Sequence, residues 1–166
     1  MSGSRIGAIL AVVVAMSGCS STAPHEHASM ASAVTFGDPW ATSAEMGMAA
    51  VFGTFTNGGD HDAVIVSGDS PSAGRVEVHE VAPDASGTKT MRPKEGGITV
   101  AAGSTKELTP GGDHLMLMEL TQPLNPGADV DLTVTFEDGS TLPITAQVRD
   151  FAGGNEEYSP GSHHNG

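Results

Sequence analysis

Short apolar runs that alternate with polar residues fill most of the chain between residues 33 and 151. In DVDLTVTFE (129–137), Val130, Leu132, Val134 and Phe136 share one face, while acidic residues and threonines share the other. This period of two is typical of a half-buried β-strand, and no window of about a dozen residues shows a helical period. Such runs predict about nine short strands among ten strand-like segments: AVTFGD from Ala33, 49–56, 63–69, 75–81, TKTMRP, GITVAA, TKELTPGG, 114–120, 129–139 and 141–150.

Turn residues separate these runs. The chain has 22 glycines and 10 prolines, and only 4% of its residues are aromatic, a composition that suits short strands joined by many turns. The sequence EDGS between the last two runs predicts a hairpin around Asp138-Gly139. We therefore predict a single all-β domain, an antiparallel sandwich or Greek-key barrel.

The N-terminus has the features of an export signal. Arg5 precedes an apolar run of 11 residues, Ile6–Met16, which is shorter than the roughly 20 residues of a transmembrane helix. The run ends in MSGC, which resembles a bacterial lipobox, whose cysteine becomes the lipidated first residue. A plain secretory signal with a nearby cysteine is the alternative. The predicted organisation is a signal peptide at 1–18, lipidation at Cys19 in a flexible tether at 19–32, a folded domain at 33–151 and a disordered, histidine-containing tail at 152–166.

Charge and cysteine content narrow the function. The formal net charge is −13, which argues against a nucleic-acid partner because such proteins need a basic surface. Cys19 is the only cysteine, so no intramolecular disulfide can form, and lipidation accounts for its presence in an exported protein. We expect a lipid-anchored monomer on the outer face of the bacterial cytoplasmic membrane.

The strand HLMLMEL (114–120) has unusual chemistry on one face. Alternation places His114, Met116 and Met118 together and Leu115 and Leu117 on the opposite face. The Cα atoms of His114 and Met116 would lie roughly 6–7 Å apart, so both side chains could reach one ion. Thioethers and imidazoles favour a soft cation, Cu(I) above all. Methionine cannot form disulfides, so it is a suitable ligand outside the reducing cytosol. Its side chain carries no charge, which favours exchangeable metal binding.

Simpler interpretations of these residues remain open. Methionine is a common core filler, and a lone strand histidine is usually a hydrogen-bonded structural residue. Met46, Met48 and Met118 are interpreted as packing or rim residues, and His61 as a solvated turn residue. The histidines of the tether and the tail could collect Cu(II); these are His25, His27, His163 and His164.

A longer pattern resembles a known family. The segment VEVHEV…MRPKEGGITVAAGSTKELTPGGDHLMLMEL…PLNPGADVDLTVTFEDG is similar to the periplasmic copper chaperone family PCuAC, also called DUF461, over about residues 33–148. DPWAT and TFTNGGD belong to the same resemblance. Eleven residues separate His79 from Met91, and twenty-two separate Met91 from His114. Each interval is one residue longer than in the family pattern.

The resemblance implies a cupredoxin-like sandwich that binds one Cu(I) through His79, Met91, His114 and Met116. It also implies that copper is supplied to the CuA centre of cytochrome c oxidase, often alongside SCO-type proteins, without enzymatic turnover. A blue-copper electron carrier would need a His₂Cys site, and a dismutase would need more clustered histidines. A lipid-anchored binding or adhesion module without a metal is the remaining alternative.

Overall fold

The computed structural model of the chain describes residues 28–152 and 157–158. Within these residues lie one four-residue helix, α1, and eleven strands. None of the helical residues described here forms a span long and apolar enough to cross a membrane. The elements are α1 Met30–Ala33, β1 Val34–Thr42, β2 Met48–Asn57, β3 Ala63–Asp69, β4 Ala73–Pro83, β5 Lys89–Pro93, β6 Ile98–Val100, β7 Thr105–Leu108, β8 His114–Leu120, β9 Asp129–Phe136, β10 Thr141–Arg149 and β11 Glu157–Tyr158.

Seven of these strands close into a barrel. Their order is β4-β8-β2-β1-β10-β9-β3, and the barrel closes because β3 pairs with β4 as well as with β9. Within the closed barrel, β1 and β10 pair in parallel and the other strands pair antiparallel. β5 extends the sheet from β4, β6 extends it from β3, and β7 pairs with β2. The prediction of a single all-β, cupredoxin-like domain is confirmed.

The barrel wall formed by β4 and β8 has two apolar faces. Val76 and Val78 on β4, and Leu115 and Leu117 on β8, belong to the main core inside the barrel. The alternate residues of β8, which include His114 and Met116, point the opposite way because successive side chains of a strand alternate between faces. Both of these outward residues are nevertheless buried. A second apolar layer therefore lies on the outside of this wall.

The first strand runs further than its apolar pattern predicts. AVTFGD suggests a strand that ends near Asp38, whereas β1 continues to Thr42. Asp38 has a φ of 49°, and the pairing register with β2 shifts between Gly37 and Trp40. This local irregularity carries the strand past Pro39, so the sequence DPW lies inside a strand. An irregular strand of this kind has no simple alternation to recognise.

The last residues of the predicted tether dock onto the barrel. The Met30 amide donates to Asp138 Oδ2 at 2.8 Å, and the Ala31 amide donates to Ser140 Oγ at 3.0 Å. Both acceptors lie in the β9–β10 hairpin, where Gly139 adopts a φ of 79°. The predicted hairpin at Asp138-Gly139 is confirmed, and its turn side chains also hold α1. Cys19 and the predicted signal peptide lie outside the described residues.

Part of the predicted disordered tail forms a strand. Glu157 and Tyr158 pair in parallel with Thr90 and Met91 of β5. The expectation of a structureless tail therefore fails at these two residues. The cause is local, because β5 is an open sheet edge that offers backbone groups to a further strand. The tail histidines, His163 and His164, lie outside the described residues.

Candidate metal centre

His79 and His114 face each other across two adjacent strands. They are register partners of antiparallel β4 and β8, so their side chains leave the same face of the sheet. Their ring centroids are 5.7 Å apart, and both side chains are buried. Two residues that are far apart in sequence are therefore brought together by strand pairing alone.

A tight turn positions the imidazole of His114. The Gly112 amide donates to the Thr109 carbonyl at 3.0 Å, and Gly111 has a φ of 78°. With Pro110 before it, this is the type II turn that the sequence TPGG favours. The turn presents the Gly112 carbonyl, which lies 3.0 Å from His114 Nδ1. In the neutral ring Nδ1 donates this hydrogen bond, so the lone pair lies on Nε2.

A carboxylate positions the imidazole of His79. Nε2 donates to Glu77 Oε2 at 2.8 Å, from the residue two positions earlier on the same face of β4. The neutral ring then has its lone pair on Nδ1. That atom is buried and has no hydrogen-bond partner among the residues that the structure describes. A buried polar atom without a partner is costly, and a bound cation would satisfy it.

The surroundings favour neutral His79. Burial lowers its pKa below the ordinary value, and the hydrogen bond to Glu77 opposes this effect only in part. Burial also acts to raise the pKa of Glu77, but its bonds to His79 and Arg75 prevail, and the pKa is lowered. Arg75 Nε lies 2.6 Å from Glu77 Oε1. The carboxylate therefore stays ionised while the imidazole keeps the lone pair that a metal needs.

Ion pairs fix the chain just before β8. Lys106 Nζ lies 2.7 Å from Asp113 Oδ2, and Lys94 Nζ lies between Asp113 Oδ1 at 3.2 Å and Glu80 Oε2 at 2.9 Å. Burial acts to raise the pKa of Asp113, but these two lysines outweigh it and the pKa is lowered. Lys94 thus links β4 to the start of β8, next to His114.

The buried methionines form a cluster of their own beside the two histidines. The methionine cluster consists of the buried Met91, Met116 and Met118 together with the half-buried Met48, and Ala50 and Tyr158 pack against it. In the described part of the chain, every buried methionine belongs to it, and the main core inside the barrel contains none. Core-filling methionines would be spread among valines and leucines. Their segregation next to two imidazoles favours a chemical role.

Strand registers explain how the cluster assembles. Met91 on β5 pairs with Val81, two residues beyond His79, which places it diagonally across from that histidine. Met116 lies two residues beyond His114 and pairs with Ala50 of β2. The small side chain of Ala50 leaves room above Met116. Met48 pairs with Met118 at the adjacent position on the same face.

A cavity of about 200 Å³ opens over this outer layer. Its walls include one of the two histidines and three of the clustered methionines, together with backbone from the turn before β8. The lining residues are Thr42, Ser43, Met48, Ala50, Phe52, Val81, Met91, Pro110, Gly111, His114, Met116 and Phe151. His79 is not among the described residues that line it.

Aromatic rings flank the two imidazoles. The Phe52 ring centroid lies 5.9 Å from that of His114, and Trp40 packs on Phe52 with centroids 4.7 Å apart. On the other side, the Tyr158 ring lies parallel to His79, with 3° between the planes and 5.6 Å between the centroids. These rings pack beside the two imidazoles and contribute to their burial.

The structure brings together all four residues predicted as ligands. Met48 and Met118, interpreted above as packing or rim residues, pack in the same cluster. Met46 is 79% exposed and lies outside the cluster, and His61 is an exposed turn residue hydrogen-bonded to Asp60. His25 and His27 lie outside the described residues.

Sequence reasoning did not find three features of the site. Glu77 lies within the predicted strand 75–81, and its spacing of two from His79 is a usable signal for contact with that imidazole. Tyr158 was placed in a disordered tail. The position of Met48 opposite Met118 and diagonal to Met116 depends on the register between β2 and β8, which no local pattern specifies.

The donor set suits a soft, monovalent cation. The lone pairs of His79 Nδ1 and His114 Nε2 are fixed by the hydrogen bonds at the opposite ring nitrogens, as is usual for metal-binding histidines. The thioethers of Met91 and Met116 are neutral, soft ligands. The fold and the site together define a small β-barrel protein with an imidazole–thioether centre on its outer wall.

The comparisons identify the family. A family model described as "Putative lipoprotein LpqE-like" matches residues 34–148. A protein of Leifsonia xyli subsp. xyli (strain CTCB07), named "Putative lipoprotein Lxx21020", is 36% identical over 157 residues, which cover 93% of this chain and 94% of that protein. The chain belongs to the LpqE-like lipoprotein family.

Solved structures share the fold. A copper-bound PCuAC domain from PmoF2 matches with a TM-score of 0.59 and 20% identity, over 72% of this chain and 94% of that one. The solution structure of apo-DR1885 from Deinococcus radiodurans matches with a TM-score of 0.51 and 28% identity, over 89% and 100% of the two chains. The Cu(I) form of DR1885 matches at 0.51 and 29% identity, over 75% and 85%. The predicted resemblance to PCuAC domains is confirmed at the level of the fold.

Proposed function

We propose that this protein is an exported copper chaperone that binds one Cu(I) through His79, Met91, His114 and Met116. The observation that carries the proposal is the segregation of every described buried methionine beside two buried histidines of fixed tautomer. The copper-bound PCuAC domain and the Cu(I) form of DR1885 support the choice of metal.

The ligand chemistry suits transfer rather than permanent storage. Thioethers carry no charge, so the site holds Cu(I) without the strong electrostatic attraction of thiolates. The imidazoles must be neutral to bind, and burial already favours that state at His79. The protein needs no catalytic turnover: copper is the cargo, which enters and leaves unchanged.

The destination follows from the family resemblance. We propose that the acceptor is a respiratory cuproenzyme, with the CuA site of subunit II of cytochrome c oxidase as the first candidate and SCO-type proteins as possible intermediates. Export and lipidation at Cys19 would place the domain on the outer face of the cytoplasmic membrane, where such acceptors lie. Mixing the Cu(I)-loaded protein with the soluble domain of subunit II, then separating and analysing both for copper, tests the acceptor.

Cu(I) titration against a competing chelator tests the metal site. We expect one tightly bound Cu(I) and no intense blue band with Cu(II). Replacing both Met91 and Met116 by Leu should retain the fold, because this exchange of similar volumes usually costs less than about 1.5 kcal/mol per site. The same double variant should weaken Cu(I) binding by at least about a hundredfold, which corresponds to about 2.8 kcal/mol.

The double variant Met30→Leu/Met46→Leu is the matched control, because neither residue belongs to the methionine cluster. It should bind Cu(I) like the parent. If the Met91/Met116 variant also binds like the parent, these methionines are packing residues and the proposed site is wrong. A parent protein that does not retain Cu(I) would favour the metal-free binding or adhesion module.

A further inference from the structure

Met48 is the thioether of the methionine cluster that lies nearest to solvent. It is the first residue of β2, and its side chain is half-buried, whereas Met91, Met116 and Met118 are 9%, 2% and 5% exposed. The chain before it leaves the sheet through a bend that contains the exposed Met46. Met48 therefore lies where the buried site meets the surface.

The cavity gives Met48 access to the proposed ligands. It is lined by Met48 together with Met91, His114 and Met116, whereas the fully buried His79 lies outside the lining and beneath the ring of Tyr158. An ion that arrives through the cavity meets thioethers and His114 before it meets His79. Along this route Met48 is the outermost of the clustered sulfur atoms.

Met118 provides a natural comparison. It is the register partner of Met48 on β8 and belongs to the same cluster, but it is not among the described residues that line the cavity. The two methionines share chemistry, neighbours and sheet face. They differ in access to the cavity.

We propose that Met48 is a copper-binding thioether at the cavity mouth, which coordinates Cu(I) transiently while the ion binds to, or leaves, the four proposed ligands. This inference rests on the proposed function. Cu(I) is a soft d10 ion without a rigid geometric demand, so one sulfur ligand can bind as another leaves. A sulfur atom at the mouth provides such a stepping position, and it lowers the barrier to exchange in both directions without changing the final ligand set.

The test compares exchange rate with affinity. The unlipidated chain from residue 19, carrying Cys19→Ser so that no thiol competes, is loaded with one Cu(I) and mixed with excess bathocuproine disulfonate in a stopped-flow instrument. We expect Met48→Leu to slow copper release by about tenfold, which corresponds to about 1.4 kcal/mol in activation free energy. Its equilibrium Cu(I) affinity, measured by competition, should stay close to that of the parent.

Met118→Leu and Met46→Leu are the controls for a buried and an exposed methionine outside the cavity lining, and both should release copper at the parental rate. Met48→Ile, a second apolar side chain without sulfur, should slow release as Met48→Leu does; this variant also keeps the test valid if leucine perturbs folding. Equal release rates for Met48→Leu and a copper-loaded parent would overturn the role of Met48 and leave the proposed function intact. A parent that does not load with Cu(I) would instead overturn the proposed function.

Discussion

The imidazole of His79 is oriented by a carboxylate from its own strand. Residues two apart on a strand lie on the same face, so Glu77 reaches Nε2 at 2.8 Å while its other oxygen pairs with Arg75. Arg75 also pairs with Glu119. The chain Arg75–Glu77–His79 resembles the carboxylate–histidine arrangements that raise the basicity of metal-binding imidazoles.

Glu77→Gln tests this arrangement. The amide oxygen can still accept a hydrogen bond, but the negative charge that supports the imidazole is lost. We expect Cu(I) affinity to fall by about tenfold, the lower end of the range for such second-layer residues. Chelator competition measures the affinity, and circular dichroism checks the fold.

Glu119→Gln is the matched control because Glu119 also pairs with Arg75 but makes no hydrogen bond to a histidine among the described residues. It should leave Cu(I) affinity unchanged. Equal losses in the two variants would mean that the charge around Arg75, rather than support of His79, determines the effect.

Residue-level prediction from the sequence succeeded where the signal was local. The placement of His114 and Met116 on one strand face follows from strand alternation, and the hairpin at Asp138-Gly139 follows from its turn residues. The other half of the proposed ligand set, His79 and Met91, came from the family resemblance. Met48 could not be assigned to the site, because its neighbours are fixed by pairing between β2 and β8.

At the level of elements, the paired strands β4 and β8 contribute side chains both to the core inside the barrel and to the outer layer. β4 and β8 direct valines and leucines into the barrel and direct histidines and methionines outward. The bounds of β3 and β8 were predicted at both ends, since each has a clear apolar run between turn residues. The pairing of β4 with β8 was not predictable from periodicity, because β5, β6 and β7 lie between them in sequence.

The short strand β11 covers His79 and part of the methionine cluster. Tyr158 stacks on His79 and packs on the methionine cluster. Tyr158→Ala should let water reach His79 and reduce the burial that lowers its pKa. We expect the pKa of His79 in the copper-free protein to rise toward its ordinary value of about 6.5, as measured by NMR titration.

The sign of the accompanying stability change follows from linkage. Because the pKa of His79 is lowered in the folded state, the unfolded chain binds that proton more readily. The contribution of neutral His79 to the free energy of unfolding is therefore fully present above the ordinary pKa of about 6.5. It is lost as the pH falls from there through the folded-state pKa. Tyr158→Phe keeps the ring and should behave like the parent. An unchanged His79 pKa in Tyr158→Ala would contradict a covering role for β11.

At the scale of the whole molecule, the net negative charge bears on how the protein could attach to a membrane. Removal of residues 1–18, which contain Arg5 and no acidic residue, leaves a formal charge of −14. An acidic protein is repelled by the anionic lipids of a bilayer surface. Surface electrostatics therefore do not favour attachment of this domain to such a bilayer, whereas a lipid anchor at Cys19 would supply it.

The docked helix α1 limits how far the domain can lie from such an anchor. Ten residues separate position 19 from Met30, whose amide is held by Asp138. Even a fully extended segment of that length spans at most about 40 Å. Lipidation at Cys19 would thus keep the copper site within reach of acceptors in the same membrane.

Cys19→Ser, made in the full-length chain in its native host, tests the anchor. Each buried methylene contributes about 0.8 kcal/mol, and stable attachment takes two acyl chains, as a lipidated N-terminal cysteine provides. We expect the parent in the membrane fraction and Cys19→Ser in the soluble fraction, as detected by immunoblotting. Ser20→Ala, which alters the neighbouring residue and keeps the cysteine, should fractionate like the parent. If Cys19→Ser stays with the membrane to the same extent, attachment does not depend on lipid at this cysteine, and the lipobox interpretation of MSGC is wrong.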